Sequence, residues 1–127
     1  MPNSINTITL KCLTFFPVLL LFTITSIAQV VTTSGDKVEV RDINGTFIAS
    51  GYYSNMADAV AGDKIVVIWY TNDKVEVRSQ ELKFIASGYY SGLKKVATSE
   101  TYVVLYYTNN KIEVRDMKLK FVSSWYQ

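Results

Sequence analysis

Chemistry at a protein site usually needs a proton donor, a nucleophile or a metal ligand, and this sequence offers few. It contains no histidine, and its single cysteine, Cys12, lies in the N-terminal segment. Zinc sites of the usual Cys/His type and Ser-His-Asp or Cys-His nucleophilic sites are therefore excluded. Carboxylates remain. Asp36, Asp73, Glu39, Glu76, Glu113 and Asp116 recur through the chain, but a glycosidase needs two carboxylates facing each other across a bond, roughly 5–10 Å apart, and no pair is singled out. The glutamates alternate with Lys and Arg, a pattern that predicts cross-strand charge pairing on a solvated face. Asp42-Ile43-Asn44-Gly45 is like the start of a calcium loop without the remaining ligands. No glycine-rich phosphate loop opens a helix. Neither enzyme activity, nor a cofactor, nor a metal is expected.

Aromatic residues are the better candidates. Tyr52-Tyr53, Tyr89-Tyr90 and Trp125-Tyr126 recur near the end of each of three similar segments. Adjacent residues of a strand point to opposite faces, so one member of each pair is expected in the core and the other at the surface. Exposed aromatics offer large contact area with a polar handle. Tyr53, Tyr90, Tyr126 and Trp125 are the predicted ligand-contacting residues, for a protein or a glycan. Asn44-Gly45-Thr46 matches a glycosylation sequon, but Asn44-Gly45 is accounted for as a turn.

These residues sit in a repeat. Lys37-Val38-Glu39-Val40-Arg41 returns as Lys74-Val75-Glu76-Val77-Arg78 and Lys111-Ile112-Glu113-Val114-Arg115, at intervals of 37 residues. A fixed period of this size marks a repeat architecture. Each copy reads as strands. Residues 74–78 alternate apolar with charged, the signature of a half-buried strand. Residues 65–70 are apolar throughout and rich in β-branched and aromatic types, which suggests a strand covered on both faces. Gly35-Asp36, Asn72-Asp73 and Asn109-Asn110 predict two-residue hairpin turns between these strands. A third strand follows, over residues 84–90 and its counterparts, with Gly51 and Gly88 marking a bulge or a close approach. The connectors 54–64 and 91–101 each hold a short apolar piece read as a fourth, narrow strand; a two-turn helix over residues 56–61 is the competing assignment.

The stretch Val38-x-Val40-x-Asp42-x-x-Gly45-x-Phe47 resembles the strand–turn–strand of β-propeller blades, without the Trp-Asp dipeptide of WD40 blades or the double glycine of kelch blades. Gly45 becomes Leu82 and Leu119 in the later copies. The resemblance implies an all-β fold of three antiparallel blade-like repeats, with copies at about 29–64, 65–101 and 102–127. A β-trefoil, which also has three repeats, and an open β-meander are the alternatives. Three blades are fewer than the four to eight of typical propellers, so a homodimer completing a ring is one expectation.

Residues 1–28 read as a signal peptide. Lys11 precedes an apolar run that ends in Ser26-Ile27-Ala28, with small residues at −3 and −1 of a cleavage site. Residues 29–127 then form a secreted or periplasmic domain with no stable membrane span after cleavage. Excluding Lys11 leaves 12 basic and 11 acidic residues. With the two signs interleaved there is no basic stripe, which argues against nucleic acid as a partner. The sequence thus predicts a secreted binding module or, as the alternative, a self-assembling structural repeat.

Overall fold

Alternating valines and β-branched runs favour extended chain, and the computed structural model, which describes residues 29–127, forms eleven strands there. They are β1 (Gln29–Ser34), β2 (Lys37–Asp42), β3 (Phe47–Tyr52), β4 (Met56–Ala61), β5 (Ile65–Tyr70), β6 (Lys74–Ser79), β7 (Phe84–Tyr89), β8 (Leu93–Ser99), β9 (Tyr102–Tyr107), β10 (Lys111–Arg115) and β11 (Phe121–Tyr126). The signal-peptide assignment of residues 1–28, Cys12 included, lies outside the described residues. The connector pieces are strands, β4 and β8; the short-helix alternative over residues 56–61 is wrong.

The strands form three separate antiparallel sheets, β1-β2-β3, β4-β5-β6-β7 and β8-β9-β10-β11. Each is one blade. Blade 1 has, among the described residues, no counterpart of the inner strands β4 and β8. The strand β4 adjoins both β1 and β8, and the blades fan out from this inner side face to face. Discrete stacked sheets are the propeller arrangement and exclude both one continuous meander and a single trefoil barrel.

Face-to-face stacking explains the all-apolar strand. In β5, Val66 and Ile68 pack with Val38 and Val40 of blade 1, whereas Ile65 and Val67 pack with Val103 and Leu105 of blade 3. All four β5 residues are fully buried. Burying a Val or Ile side chain contributes about 1.5–3 kcal/mol, so this strand ties the three blades together.

One turn expectation needs correction. Only the first hairpin has the two-residue loop, with Gly35 at φ 60° and Ser34 opposite Lys37. That is the type II′ arrangement. In blades 2 and 3 the loops are residues 71–73 and 108–110. Asp73 and Asn110 occupy the left-handed region at φ 68° and 71°, and their amides close turns onto the Tyr70 and Tyr107 carbonyls. The first copy is one residue shorter here. Consequently Ser34, not Thr33, stands at the place of Tyr70 and Tyr107, facing Lys37 as they face Lys74 and Lys111.

The second turn carries a different substitution. Gly45, Leu82 and Leu119 all have positive φ, 86°, 66° and 62°. A non-glycine residue there costs about 1–2 kcal/mol. Leu82 and Leu119 offset that by burying their side chains against the preceding blade. Gly45 has no preceding blade among the described residues.

Candidate functional site

Each junction between blades is built around a glutamate on the central strand. Glu76 lies opposite Ile68 and Glu113 opposite Leu105, so both point at the preceding blade. Each is about 95% buried (5% and 4% exposed). The Tyr70 hydroxyl donates to Glu76 Oε1 at 2.9 Å, Arg78 Nε donates to the same oxygen at 2.9 Å, and Lys74 Nζ is 3.8 Å from Oε2. Blade 3 repeats this with Tyr107 at 2.7 Å, Arg115 at 3.2 Å and Lys111 at 3.8 Å from Glu113. The glutamates predicted on a solvated face are therefore buried in blades 2 and 3. Alternation shows that two faces differ; it does not show that one is wet, and in a stack of blades both are covered.

Burial alone would raise these carboxyls. Hydrogen bonds from Arg78 and Tyr70, with the charges of Arg78 and Lys74, outweigh it and hold Glu76 below the usual carboxylate range. Glu113 is lowered by Tyr107, Arg115 and Lys111 in the same way. Burial, then the hydrogen bond to the carboxylate, pushes the Tyr70 and Tyr107 hydroxyls up. An ionised, fully paired carboxylate has no proton to give and little basicity to take one. The arrangement ties adjacent blades together.

The preceding blade completes each junction with an aromatic ring. Arg78 lies 5.0 Å from the Tyr53 ring of blade 1 and 5.8 Å from its own Phe84. Arg115 lies 4.8 Å from Tyr90 of blade 2 and 5.9 Å from Phe121. A cation over a ring contributes about 0.5–2 kcal/mol, more when desolvated. The rings reach their places because Gly51 and Gly88 leave room. A Cβ on Gly51 would be 2.8 Å from the Tyr53 hydroxyl, and one on Gly88 2.7 Å from that of Tyr90. The close approach expected at these glycines is a tyrosine of their own strand end.

The four predicted contact residues thus divide. Tyr53 and Tyr90 are half-buried braces between blades. Trp125 and Tyr126 are exposed, and point to opposite faces of β11. They do not continue the Tyr53/Tyr90 row, because counting 37 from Gly88 and Tyr89 lands on Trp125 and Tyr126, and from Tyr90 on Gln127. The exposed row is Tyr52, Tyr89 and Tyr126, at 76%, 68% and 68% exposure. Strict counting of the period would have found it. Each sits beside the tight hairpin of its blade, since the next amide donates to the hairpin carbonyl, Tyr53 to Asp36, Tyr90 to Asp73 and Gln127 to Asn110. Lys37, Lys74 and Lys111 are their cross-strand neighbours. One edge of the molecule therefore presents Tyr and Lys once per blade. The ends of the same strands away from that edge expose Phe47, Phe84 and Phe121. Among the described residues no three acidic, His or Cys groups gather as a metal site.

Stacked antiparallel sheets fanning from adjoining inner strands define a β-propeller-like repeat protein. No protein-family model and no curated protein matches the sequence. Solved structures do. The chain is similar to BamB from Moraxella catarrhalis, with 12% identity, TM-score 0.55, and coverage of 76% of this chain and 34% of that one. It is similar to BBS1N in its complex with ARL6DN, at 16% identity, TM-score 0.63, and 80% and 36% coverage. The Neurospora crassa Pan2 WD40 domain gives 13% identity, TM-score 0.55, and 77% and 33% coverage. The chain spans about a third of the length of these structures. At such identities the likeness is one of fold.

Proposed function

We propose that this protein is a secreted or periplasmic, non-enzymatic module that binds a protein partner along the edge carrying Tyr52, Tyr89 and Tyr126. One observation carries the reading: these three rings recur once per blade on one edge and are all more than two-thirds exposed, with a lysine opposite each. Tyrosine offers contact area at low entropic cost and is enriched where proteins bind proteins. The buried carboxylates, each hydrogen-bonded by a Tyr and paired with an Arg and a Lys, support a non-catalytic role. A protein of the same fold, BBS1N, has been solved with the protein ARL6DN. A second reading, two copies sharing one propeller, draws on other residues, those of the two end faces.

The test is a display library of peptides selected against the protein, with a glycan array in parallel. Changing Tyr52, Tyr89 and Tyr126 together to Ser is expected to abolish binding of the selected peptides while leaving stability within about 1.5 kcal/mol, the sum of three ordinary surface changes. Undiminished peptide binding by the triple variant would refute the assignment of this edge, and capture on the glycan array alone would refute the choice of protein as partner.

A further inference from the structure

The two end faces of the blade stack are not equivalent, and their differences are complementary. On the face of blade 1 that looks away from blade 2, Arg41 Nε and Glu39 Oε1 keep the junction ion pair at 3.2 Å. The bulk that surrounds this pair in the later blades is gone. Ser34 replaces Tyr70 and Tyr107, Thr32 replaces Ile68 and Leu105, and Gly45 replaces Leu82 and Leu119. A depression of ≈ 120 Å³ results, lined by Thr32, Thr33, Ser34, Lys37 and Glu39. Among the described residues Arg41 has a ring on one side only, its own Phe47 at 5.7 Å, where Arg78 and Arg115 each have a second from the preceding blade.

On the face of blade 3 that looks away from blade 2 the change runs the other way. Trp125 stands where Gly51 and Gly88 stand in the internal junctions, and Gln127 where Tyr53 and Tyr90 stand. The Trp125 ring is 48% exposed and lies cross-strand from Ile112. Val122, at 49% exposure, shares that face at the position of Ile48 and Ile85, which pack against the following blade in the internal junctions. The open blade 1 face has lost a large aromatic, and the open blade 3 face carries its aromatic two residues earlier and enlarged, with Trp125 at the glycine position and Gln127 in exchange for the tyrosine.

Deepening the shared-propeller reading, we infer that blade 3 of one copy docks on blade 1 of a second, with Trp125 filling the depression at Ser34 and supplying the missing ring over Arg41. This continues the junction already present twice within the chain. The same patch pair used in both directions relates the copies by a two-fold axis and gives a six-bladed ring, within the usual four to eight. The Tyr52/Tyr89/Tyr126 edge is not needed for it.

The experiment measures mass by light scattering on protein produced from the full 127-residue chain. The wild type is expected as a dimer. Trp125→Gly removes the knob and Ser34→Tyr fills the hole. Each is expected to weaken dimerisation at least about tenfold, as for a central aromatic anchor, with unchanged circular dichroism and melting of the monomer. Trp125→Gly, Gln127→Tyr and Ser34→Tyr combined rebuild an internal-type junction and are expected to restore the dimer. A wild type that is monomeric at every concentration would overturn the inference. So would a dimer that neither single substitution weakens; that result would leave a shared assembly but remove this contact. Neither outcome bears on peptide binding at the tyrosine edge.

Discussion

Replacing Glu76 by Gln tests the junction most sharply, because the same residue type occurs in one open and two complete junctions in one chain. Glu76 is 5% exposed and takes two hydrogen bonds at 2.9 Å, from Tyr70 and Arg78. Glutamine keeps the size and one acceptor for Tyr70. It leaves Arg78, whose side chain is only 21% exposed, without its counter-charge between two blades. Removing one partner of a buried pair costs about 3–5 kcal/mol, and the partial exposure of Arg78 places this case near about 3. For a domain of about 100 residues that lowers Tm by on the order of 12 °C or more. Glu39 is the internal control. Its pair with Arg41 is open to solvent, Ser34 gives it no phenol, and the loss on Glu39→Gln is expected below about 1 kcal/mol, as for surface pairs. Urea unfolding of Glu39→Gln and Glu76→Gln at pH 7 measures both. Equal losses, or a loss below about 1 kcal/mol for Glu76→Gln, would refute the burial of this cluster between blades.

Gly88→Ala is expected to cost about 1–3 kcal/mol by overpacking, since its Cβ would stand 2.7 Å from the Tyr90 hydroxyl and 3.0–3.1 Å from two ring carbons; a thermal melt within 1 °C of wild type, about 0.2 kcal/mol, would contradict it. Acid should weaken the stack. Glu76 and Glu113 titrate lower in the folded than in the unfolded chain, so the stability they add is present above the ordinary carboxylate range and is lost as pH falls through their lowered values. The urea midpoint is expected to fall as pH drops below about 4.5, and Glu76→Gln/Glu113→Gln should flatten that fall. At the other extreme Tyr70 and Tyr107, raised in the fold, add stability that is complete below pH 10 and lost as pH rises above it.

Much of this fold is legible in the sequence. The period of 37, the alternating strand at residues 74–78 and the doubly covered strand at 65–70 follow from side-chain pattern alone. The narrow inner strands follow from the apolar pieces between Ser54 and Lys64 and between Ser91 and Thr101. Two things escape a pattern argument. Alternation at Glu76 cannot show that a second blade covers its charged face. A one-residue shortening of the first hairpin shifts β1 against its counterparts, which hides the exchange of Tyr70 for Ser34. The site was half legible for a related reason. Tyr-Tyr pairs catch the eye, but only one member lies at the surface, and which one is decided by Gly51 and Gly88 folding the second tyrosine inward. The exchange of Gly45 for Leu82 and Leu119 looks like a lost turn residue; it is a plug for the neighbouring blade, retained at the expense of a left-handed backbone.

The central claim is that the two tyrosines of a pair have opposite jobs, and melting two variants side by side tests it. Tyr53→Ser/Tyr90→Ser removes both rings that brace Arg78 and Arg115 and is expected to lower stability by about 3 kcal/mol or more, from lost burial and cation–ring contact. Tyr52→Ser/Tyr89→Ser is expected to leave Tm within a few degrees while weakening capture of selected peptides. The reverse pattern, with the first variant as stable as wild type and the second unfolded, would contradict the account.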